Sequence, residues 1–233
     1  MKQLLVDGAR KINVTLTEKQ LEQFVLYGNL LKEWNQKMNL TTIVAPEEVA
    51  RKHFLDSLTC LETGIFQKKN RVIDIGTGAG FPAIPLKIVC PDLEMVLLDS
   101  LQKRLTFLNE VIAQLGLQQM TLVHARAEDA GQDVCYREQF DIAIARAVAS
   151  MPVLCELCLP FVKLGGYFIA MKGSQGEEEL SQSGRVISLL GGTTKQILTT
   201  PIDSHRIISI QKTKKTPKQY PRKAGIPSKK PLL

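Results

Sequence analysis

The sequence predicts an α/β fold in which a mostly parallel, seven-stranded sheet carries helices on both faces. The length and apolar content suit one buried domain, and from residue 71 onward short apolar runs alternate with amphipathic stretches. The apolar runs are predicted strands, at residues 71–75, 94–98, 120–124, 140–145 and 167–171. The amphipathic stretches between them are predicted helices, at residues 82–90, 101–115 and 151–159. A helical stretch near 177–190 and two further strands predict a terminal hairpin that includes an antiparallel strand, at residues 193–199 and 206–210.

The composition excludes several classes of protein. The chain has 233 residues, of which 44% are hydrophobic, and this content excludes a mainly disordered chain. No uncharged apolar run reaches the roughly 18 residues of a membrane helix, and Asp7 lies where a signal peptide would be apolar. The cysteines are odd in number, and Cys155 and Cys158 lack a second pair at zinc-site spacing. We therefore expect a cytoplasmic protein with reduced thiols and no metal.

Positive charge is concentrated at the C-terminus. The chain has 30 basic and 23 acidic residues and a formal charge of +7. Residues 211–233 hold 8 of the bases and no acid, which leaves 22 bases and 23 acids, a net charge of −1, for the remainder. Because it is rich in proline and has little apolar periodicity, segment 212–233 is predicted to be a flexible tail. Two interpretations remain open, a solubilising end and an arm that binds RNA or another anionic surface.

Residues 1–66 are predicted to be a helical extension packed on a domain that spans residues 67–211. A capping box begins at Thr17, and apolar residues then recur at helical spacing to about Met38. Pro46 predicts the start of a second helix, because its missing N–H group costs nothing at that position.

A glycine loop directly follows the first predicted strand. It reads Asp74-Ile-Gly76-Thr-Gly78-Ala-Gly80-Phe81-Pro82. Glycines let the backbone take unusual angles and let a ligand approach closely, and the N-terminus of a following helix favours negative groups. Asp99 ends the second predicted strand, where an acid can accept hydrogen bonds from both hydroxyls of a ribose. A dinucleotide-binding loop has GxGxxG spacing, whereas this chain has GxGxG preceded by an acid.

This form of loop resembles motif I of the Rossmann-like, class I S-adenosylmethionine-dependent methyltransferases. The resemblance implies that Asp74 and the backbone near Gly76 hold the methionine end of the cofactor and that Asp99 holds the ribose. It also implies that Glu128, in the segment after the third strand, meets the adenine together with neighbouring backbone. Arg146 ends the fourth strand beside the expected ligand crevice, which predicts a functional role, the alternative being a helix-capping salt bridge.

The end of the fourth strand restricts the choice of methyl acceptor. Methylation of an exocyclic amine commonly uses an Asp/Asn-Pro-Pro-aromatic motif there, whereas this chain has Arg146-Ala-Val-Ala-Ser150. Carbon-5 methylation of a pyrimidine needs a cysteine nucleophile, and Cys155, inside a predicted helix, is a poor candidate. Guanine N7 is compatible, because it has a lone pair and no proton to remove, so that placement and desolvation suffice. Small-molecule acceptors that need no base remain open.

Several motifs together resemble the ribosomal RNA small-subunit methyltransferase G family, also called glucose-inhibited division protein B. They span roughly residues 20–210 and are Trp34-Asn35, Met38-Asn39-Leu40-Thr41, His53-Phe-Leu55-Asp56-Ser57, the glycine loop continued to Pro85, Leu98-Asp99-Ser100-Leu101, Lys103-Arg104, Arg126-Ala-Glu128, Arg146-Ala147 and Met171-Lys172-Gly173. The resemblance implies a cytoplasmic enzyme that methylates N7 of one guanosine in 16S rRNA, near the decoding region. It implies a cofactor site lined by the glycine loop and three later positions, namely Gly76, Gly78, Gly80, Phe81, Ala127, Glu128 and Arg146.

Two groups of polar residues complete the predicted site. His53 and Asp56, three residues apart on one helix face, and Asn39 join Arg146 as the predicted catalytic set. The alternative for His53 and Asp56 is a capped or core-satisfied polar pair. Basic residues near strand ends and in the tail are predicted to contact RNA phosphates, namely Lys103, Arg104, Arg126, Lys172, Arg222 and Lys223.

The resulting hypothesis is a monomeric methyltransferase that uses S-adenosylmethionine and acts on 16S rRNA or the small ribosomal subunit, with no metal and no membrane as partner. Two rivals remain, a small-molecule methyltransferase and a non-catalytic RNA-binding protein that keeps the fold. Binding of S-adenosylmethionine would separate the second rival from an enzyme.

Overall fold

A seven-stranded sheet organises the part of the chain that the computed structural model describes, residues 1–146 and 149–233. Its strands are β1 (Arg71–Ile75), β2 (Glu94–Asp99), β3 (Met120–His124), β4 (Phe140–Arg146), β5 (Val162–Lys172), β6 (Gly192–Thr199) and β7 (Arg206–Lys212). They lie in the order β3-β2-β1-β4-β5-β7-β6. Strands β1 to β5 pair in parallel, and β7 is antiparallel to both of its neighbours. The predicted mostly parallel sheet with a terminal hairpin is confirmed.

Helices cover both faces of this sheet. They are α1 (Lys2–Lys11), α2 (Glu18–Asn35), α3 (Pro46–Val49), α4 (Asp56–Leu58), α5 (Ala83–Val89), α6 (Gln102–Leu115), α7 (Ala127–Ala130), α8 (Met151–Cys158), α9 (Gly176–Ser181), α10 (Gly184–Leu189) and α11 (Ile226–Lys229). A π-helical turn, Ala50–Leu55, joins α3 to α4, and 3₁₀ turns follow at Thr59–Thr63 and Leu159–Phe161. Among the described helices, none combines the length and the apolar character needed to cross a membrane.

The sheet separates two apolar cores. One core holds the N-terminal helices together with α5 and α6, and the other holds α8, α10 and part of the C-terminal segment. Side chains alternate between the cores along each strand, because successive residues of a strand point to opposite faces. In β1, Val72 joins the first core, whereas Ile73 and Ile75 join the second. The N-terminal helices therefore share the core of the sheet instead of forming one of their own.

Strands β1 and β3 have the predicted bounds, and the other five differ at one or both ends; β6 begins one residue earlier, at Gly192, and β7 ends two residues later, at Lys212. Strands β2 and β4 each run one residue further, so that Asp99 and Arg146 are their last residues. Strand β5 begins at Val162 instead of residue 167, because Val162 pairs with Phe140 before a bulge that includes Gly165, whose φ is 83°, and regular pairing with β4 resumes at Tyr167. The helical stretch predicted near 177–190 forms the two short helices α9 and α10.

The first long helix begins as predicted and ends early. Thr17 accepts a hydrogen bond from the Gln20 backbone N–H (3.3 Å), and the Gln20 side chain accepts one from the Thr17 N–H (2.9 Å), so the capping box is confirmed. The helix ends at Asn35 instead of Met38. The Asn35 side chain accepts the backbone N–H groups of residues 40 and 41, at 2.8 and 3.0 Å, which turns the chain out of the helix.

The C-terminal segment packs on the body, and the prediction of a flexible tail is wrong. Lys212 is the last residue of β7, and its buried Nζ donates to the Leu159 carbonyl at 2.6 Å. Tyr220 is 8% exposed and belongs to the second core. Arg222 pairs with Glu156 of α8, with 2.7 Å between Nη2 and Oε2. The composition of the segment could not predict its docking, because the docking depends on a buried carboxylate, that of Glu156, which lies 66 residues away in the chain.

Gly80 lies where the glycine loop meets three neighbouring side chains. Its φ of 93° belongs to the left-handed region. A Cβ atom at this position would lie 2.6 Å from Ile84 Cγ1, 2.8 Å from Leu108 Cδ2 and 2.9 Å from the Tyr27 hydroxyl. The residue is therefore required for packing as well as for its backbone angle.

We expect Gly80→Ala to lower the free energy of unfolding by about 2–4 kcal/mol, because the methyl group is both strained and overpacked. Gly64→Ala is the matched control. Its φ is 67°, and a Cβ there would meet no described atom within 4 Å, so it keeps the strain without the collision. We expect this control to cost about 1 kcal/mol. Urea denaturation measures both, and equal losses would contradict tight packing at Gly80.

Candidate active site

A cavity of about 460 Å³ opens at the carboxyl ends of the strands. It lies at β1 and β4, where the strand order reverses, which is the expected ligand crevice of an open α/β sheet. Its size falls within the range of small-molecule sites, about 300–1,000 Å³. Ten of the residues predicted for the site border it, namely His53, Gly76, Gly78, Phe81, Asp99, Arg104, Arg126, Ala127, Glu128 and Arg146.

The glycine loop is bound to the end of β2. The backbone N–H groups of Gly76 and Thr77 donate to the Leu98 carbonyl, at 2.9 and 3.1 Å. The N–H of Gly78 donates to Asp99 Oδ2 at 2.9 Å. Gly76 and Gly78 have φ values of 70° and 61°, which few other residues adopt. Their backbone therefore forms one wall of the cavity without a side chain between it and a ligand.

Asp74 lies behind this loop and does not border the cavity. Because side chains alternate along β1, its carboxylate faces the same side as Val72, towards the N-terminal helices. Thr77 Oγ1 donates to Oδ2 at 2.7 Å, and Oδ1 accepts no hydrogen bond from any described residue. Burial raises the pKa of Asp74 to about 7, against the hydrogen bond from Thr77. The structure therefore places Asp74 under the loop, and its predicted contact with the methionine end stays a prediction.

Asp99 presents a nearly buried carboxylate to the cavity. Its Oδ1 accepts the Leu101 N–H at 2.9 Å, and its Oδ2 accepts the Gly78 N–H at 2.9 Å. Arg104 Nη1 lies 3.2 Å from Oδ2. Arg104, predicted to contact RNA phosphate, is thus a partner of Asp99 inside the cavity wall. The carboxylate is fixed in position, and lone pairs beyond these three bonds remain for further hydroxyl donors.

Glu128, near the N-terminus of α7, is the second acid on the wall. It is 4% exposed. Its Oε1 accepts the Gly225 backbone N–H at 2.8 Å, and Arg126 Nη2 lies 3.4 Å from the same oxygen. Ala127 borders the cavity beside it. A residue of the C-terminal segment therefore helps to hold an acid predicted to meet the adenine.

Arg146 joins the sheet to the N-terminal helices. Its Nη1 donates to the Lys52 carbonyl and to Asp56 Oδ2, each at 3.1 Å, and its Nη2 lies 3.1 Å from His53 Nδ1. Its Cζ lies 5.0 Å from the centre of the Phe81 ring, within the range of a cation–π contact. The salt bridge considered as an alternative is present, and the same guanidinium also borders the cavity.

The contact with Arg146 assigns the proton of His53 to Nε2. Arg146 can only donate, so Nδ1 is assigned as the acceptor, and Nε2 then donates to Thr41 Oγ1 at 2.9 Å. Nδ1 also lies 3.2 Å from the Lys52 carbonyl, which would favour the other tautomer, but that tautomer would set an N–H against the guanidinium. Burial, reinforced by the charge of Arg146, lowers the pKa of His53 to about 4. The ring stacks on Phe81, with 4.5 Å between centroids and 23° between planes. His53 is therefore neutral near pH 7, and its Nδ1 is engaged.

Asp56 and His205 extend this network away from the cavity. Asp56 is 1% exposed and does not border the cavity. Its Oδ2 pairs with Arg146, and its Oδ1 lies 2.8 Å from His205 Nδ1. The hydrogen bond to Asp56 raises the pKa of His205. Asp56 therefore positions Arg146 and is itself held from the β6–β7 connection.

Two residues of this network, His205 and Thr41, were not predicted as site residues. His205 is 149 residues from Asp56, and no local pattern links them. Thr41 borders the cavity, whereas its predicted neighbour Asn39 is exposed and lies off the wall. The motif Met38-Asn39-Leu40-Thr41 was the available signal for Thr41, whose backbone N–H donates to the Asn35 side chain in the fold.

The predicted RNA-contacting residues divide into exposed cations and cations that the fold holds in ion pairs with little exposure. Lys103, Arg126 and Lys223 are exposed. Lys172 is 9% exposed at its side chain and pairs with Glu179 at 2.8 Å, and Arg222 pairs with buried Glu156. Charge at the last two positions is used within the fold.

The donor and acceptor groups of the cavity fit the predicted cofactor. A ribose presents hydroxyl donors and an adenine presents an amino donor, both of which carboxylates accept. Asp99 ends β2 and Glu128 follows β3, and because these strands are adjacent and parallel, both carboxylates lie at the same edge of the sheet. Within the residues described, no group of three or more His, Cys, Asp or Glu side chains is placed to hold a metal ion.

Comparison with known proteins gives consistent matches over the whole chain. A family model described as rRNA small subunit methyltransferase G, GidB, matches residues 20–208. The chain is 49% identical over 236 residues to the ribosomal RNA small subunit methyltransferase G of Alkaliphilus oremlandii, covering 100% of this chain and 99% of that protein. It is 52% identical over 237 residues to the protein of the same name from Acetivibrio thermocellus, covering 100% and 97%.

Solved structures of low identity share the fold. Aeropyrum pernix fibrillarin, in complex with natively bound S-adenosyl-L-methionine, has a TM-score of 0.51 and 14% identity, covering 62% of this chain and 67% of that one. At this identity the likeness concerns the fold alone.

We expect nuclear magnetic resonance titration to separate His53 and His205. His53 should titrate near pH 4, and the pKa of His205 should lie above its ordinary value of about 6.5. Asp56→Asn should lower the pKa of His205, because it removes the carboxylate that stabilises the protonated ring. Asp203→Asn, in the same connection, is the control and should change it less. An unchanged His205 in Asp56→Asn would contradict the contact.

The buried Asp74 predicts a pH-dependent stability. The unfolded carboxyl titrates near pH 3.9, and the folded one near 7. Between these values the folded state holds the additional proton, so the free energy of unfolding falls as pH rises, by at most about 1.4 kcal/mol per unit. Asp74→Asn cannot ionise. Relative to the wild type, we expect it to gain a few kcal/mol between pH 4 and 8 in urea denaturation, and parallel curves would contradict this.

Proposed function

The chain belongs to the rRNA small subunit methyltransferase G family, and from this membership we propose that it transfers a methyl group from S-adenosylmethionine to N7 of one guanosine in 16S rRNA. Relatives at about half identity match over nearly their whole length. The chain is accordingly a methyltransferase, and the predicted class I fold is confirmed by its sheet order and its structural likenesses. Beyond this membership, the proposal names guanine N7 as the atom that accepts the methyl group.

One observation carries the choice of N7, which is that the corner of the cavity formed by His53, Phe81 and Arg146 offers no free base among its described side chains. His53 is neutral, and its Nδ1 accepts from Arg146. Asp56, the nearest carboxylate to this pair, is buried and accepts from Arg146 and His205. Guanine N7 has no proton to lose, so an acceptor of this kind is compatible with such a wall. Acceptors that must lose a proton, such as exocyclic amines, would find no free base in this corner to take it.

The residues of the cavity account for binding and placement. S-adenosylmethionine supplies a methyl group on a sulfonium, which a lone pair can attack directly. We propose that Asp99 accepts the ribose hydroxyls, that Glu128 and the backbone at Ala127 bind the adenine, and that the backbone at Gly76 borders the methionine end. Reaction then depends on placing the acceptor in line and excluding water.

Arg146 is suited to a positioning role that does not oppose the reaction. Methylation of N7 makes the base positive, so an unpaired cation nearby would hinder it. Asp56 neutralises Arg146, and the Phe81 ring covers one side of the guanidinium. Phe81 and neutral His53 present aromatic surface and uncharged donors to the cavity. We propose that this corner receives the flat face of the acceptor base.

The acceptor base has to leave its stack to reach a cavity at the strand ends. Exposed Lys103, Arg126 and Lys223 are proposed to contact the RNA backbone. All five cysteines are free thiols, in keeping with a reducing compartment. The proposal has the enzyme act as a monomer in the cytoplasm, on rRNA or on the small subunit.

Incubation with labelled S-adenosylmethionine tests the acceptor. We expect unmethylated 16S rRNA, offered as naked RNA, as an assembly intermediate and as the mature small subunit, to acquire label in at least one state. Nuclease digestion should recover the label as N7-methylguanine from a single site. Label in another base or at another atom would overturn the acceptor, and labelling of small molecules alone would favour the first rival.

Arginine variants make this assay specific for the site. Arg146→Lys keeps the charge and loses the planar fork that contacts Asp56 and His53 together, and we expect methyl transfer to fall at least about 100-fold. Arg71→Lys is the control, because Arg71 begins β1 at the opposite end of the strand from the cavity. It should methylate like the wild type. Equal activity of the two variants would exclude the proposed role of Arg146.

A further inference from the structure

The C-terminal segment, defined here as residues 213–233, follows a fixed path across α8 towards the cavity. Thr216 is nearly buried; its N–H donates to Glu138 Oε1 at 2.9 Å and its Oγ1 to the Leu190 carbonyl at 2.8 Å. Arg137 donates to the Tyr220 carbonyl at 2.7 Å and to the Thr216 carbonyl at 2.9 Å. The first half of the segment is thus bound through its backbone, which a mobile arm would not be.

One ion pair fixes the middle of the segment. Glu156 is 0% exposed, and its carboxylate accepts from the Arg222 backbone N–H at 2.8 Å, from Nε at 2.9 Å and from Nη2 at 2.7 Å. A buried carboxylate without such partners would be strongly unfavourable. Arg222 Nη2 also donates to the Lys230 carbonyl at 2.8 Å, which closes the chain around helix α11.

Beyond this pair the segment reaches the cavity. The Gly225 N–H donates to Glu128 Oε1 at 2.8 Å, where φ of Gly225 is 81°. Ser228, in α11, borders the cavity together with Glu128. Two independent contacts therefore place residues 225–228 at the adenine side of the proposed cofactor site.

We propose that the C-terminal segment is a wall of the S-adenosylmethionine site, so that docking of the segment and binding of the cofactor stabilise each other. The segment orients Glu128 through Gly225 and closes the cavity through Ser228. Binding linkage is reciprocal, so a change that releases the segment must weaken cofactor binding by the factor by which the cofactor favours docking. The proposal rests on the proposed function only in taking S-adenosylmethionine as the ligand.

A matched pair of charge variants tests the linkage by calorimetry with S-adenosylmethionine. Arg222→Gln removes the ion pair with Glu156, and we expect the dissociation constant to rise at least about tenfold. Lys218→Gln removes the same charge from an exposed residue of the same segment and should bind like the wild type. Thermal unfolding shows whether each variant is folded. A folded Arg222→Gln with unchanged affinity would overturn the proposal.

A second pair of variants leaves the ion pair intact, whereas Arg222→Gln leaves the Glu156 carboxylate buried without its partner. Ser228→Trp places a large side chain at the cavity, from an exposed residue that the fold does not need. Lys229→Trp makes the same change on the neighbouring exposed residue, which does not border the cavity. We expect the first to weaken cofactor binding about tenfold or more and the second to leave it unchanged. Equal affinities in a folded protein would likewise overturn the proposal.

Limited trypsin digestion supplies the reciprocal measurement. Exposed Lys223 and Lys229 are the expected cleavage points, and saturating S-adenosylmethionine should slow cleavage there in the wild-type protein. Unchanged cleavage rates would count against the linkage. Failure of the wild type to bind the cofactor would defeat the proposed function itself, whereas intact linkage without N7 methylation would defeat only the acceptor.

Discussion

The pairing of Arg146 with Asp56 is the interaction on which the arrangement of the site depends. It connects the end of a central strand to the N-terminal helices, so the two layers that enclose the cavity cannot shift independently. Both groups are largely withdrawn from water, which is costly unless their remaining hydrogen-bonding positions are filled. The Lys52 carbonyl and the rings of His53 and His205 fill them. The outcome is a cation whose direction and charge are both controlled by the fold.

The topology places groups of different chemistry at different strand ends around the cavity. One carboxylate lies at the end of β2 and the other follows β3, backbone amides follow β1, and the neutralised arginine ends β4. Each part is on or next to a regular element, which holds it more firmly than a long loop would. An acceptor that needs placement more than proton transfer is matched to such a rigid, base-free corner.

Local patterns in the sequence predicted the features that are themselves local. The strand bounds, the capping box, the glycine loop and the position of Arg146 all follow from spacing and alternation. The motif fixes the place of Asp74 in the chain, whereas the pleat of β1 fixes the direction of its side chain, so its burial under the loop could not be predicted from the motif. The docking of the C-terminal segment and the contact of His205 could not be predicted, because each depends on one partner far away in sequence, Glu156 and Asp56. Amino-acid composition indicates whether a segment would fold on its own, but it does not reveal a buried partner elsewhere in the fold.

The π-helical turn at Ala50–Leu55 has a consequence for how this site can change. Such a turn holds one residue more than the α-helical path around it, and each residue of an α-helix turns the following side chains by about 100°. Removing a single residue there would leave a sound helix that still buries apolar groups, but it would rotate Asp56 away from Arg146. The segment is therefore intolerant of deletion even where the side chains on either side of the deleted residue are kept. Chain length here sets the alignment between the two halves of the site, in addition to the contacts of His53.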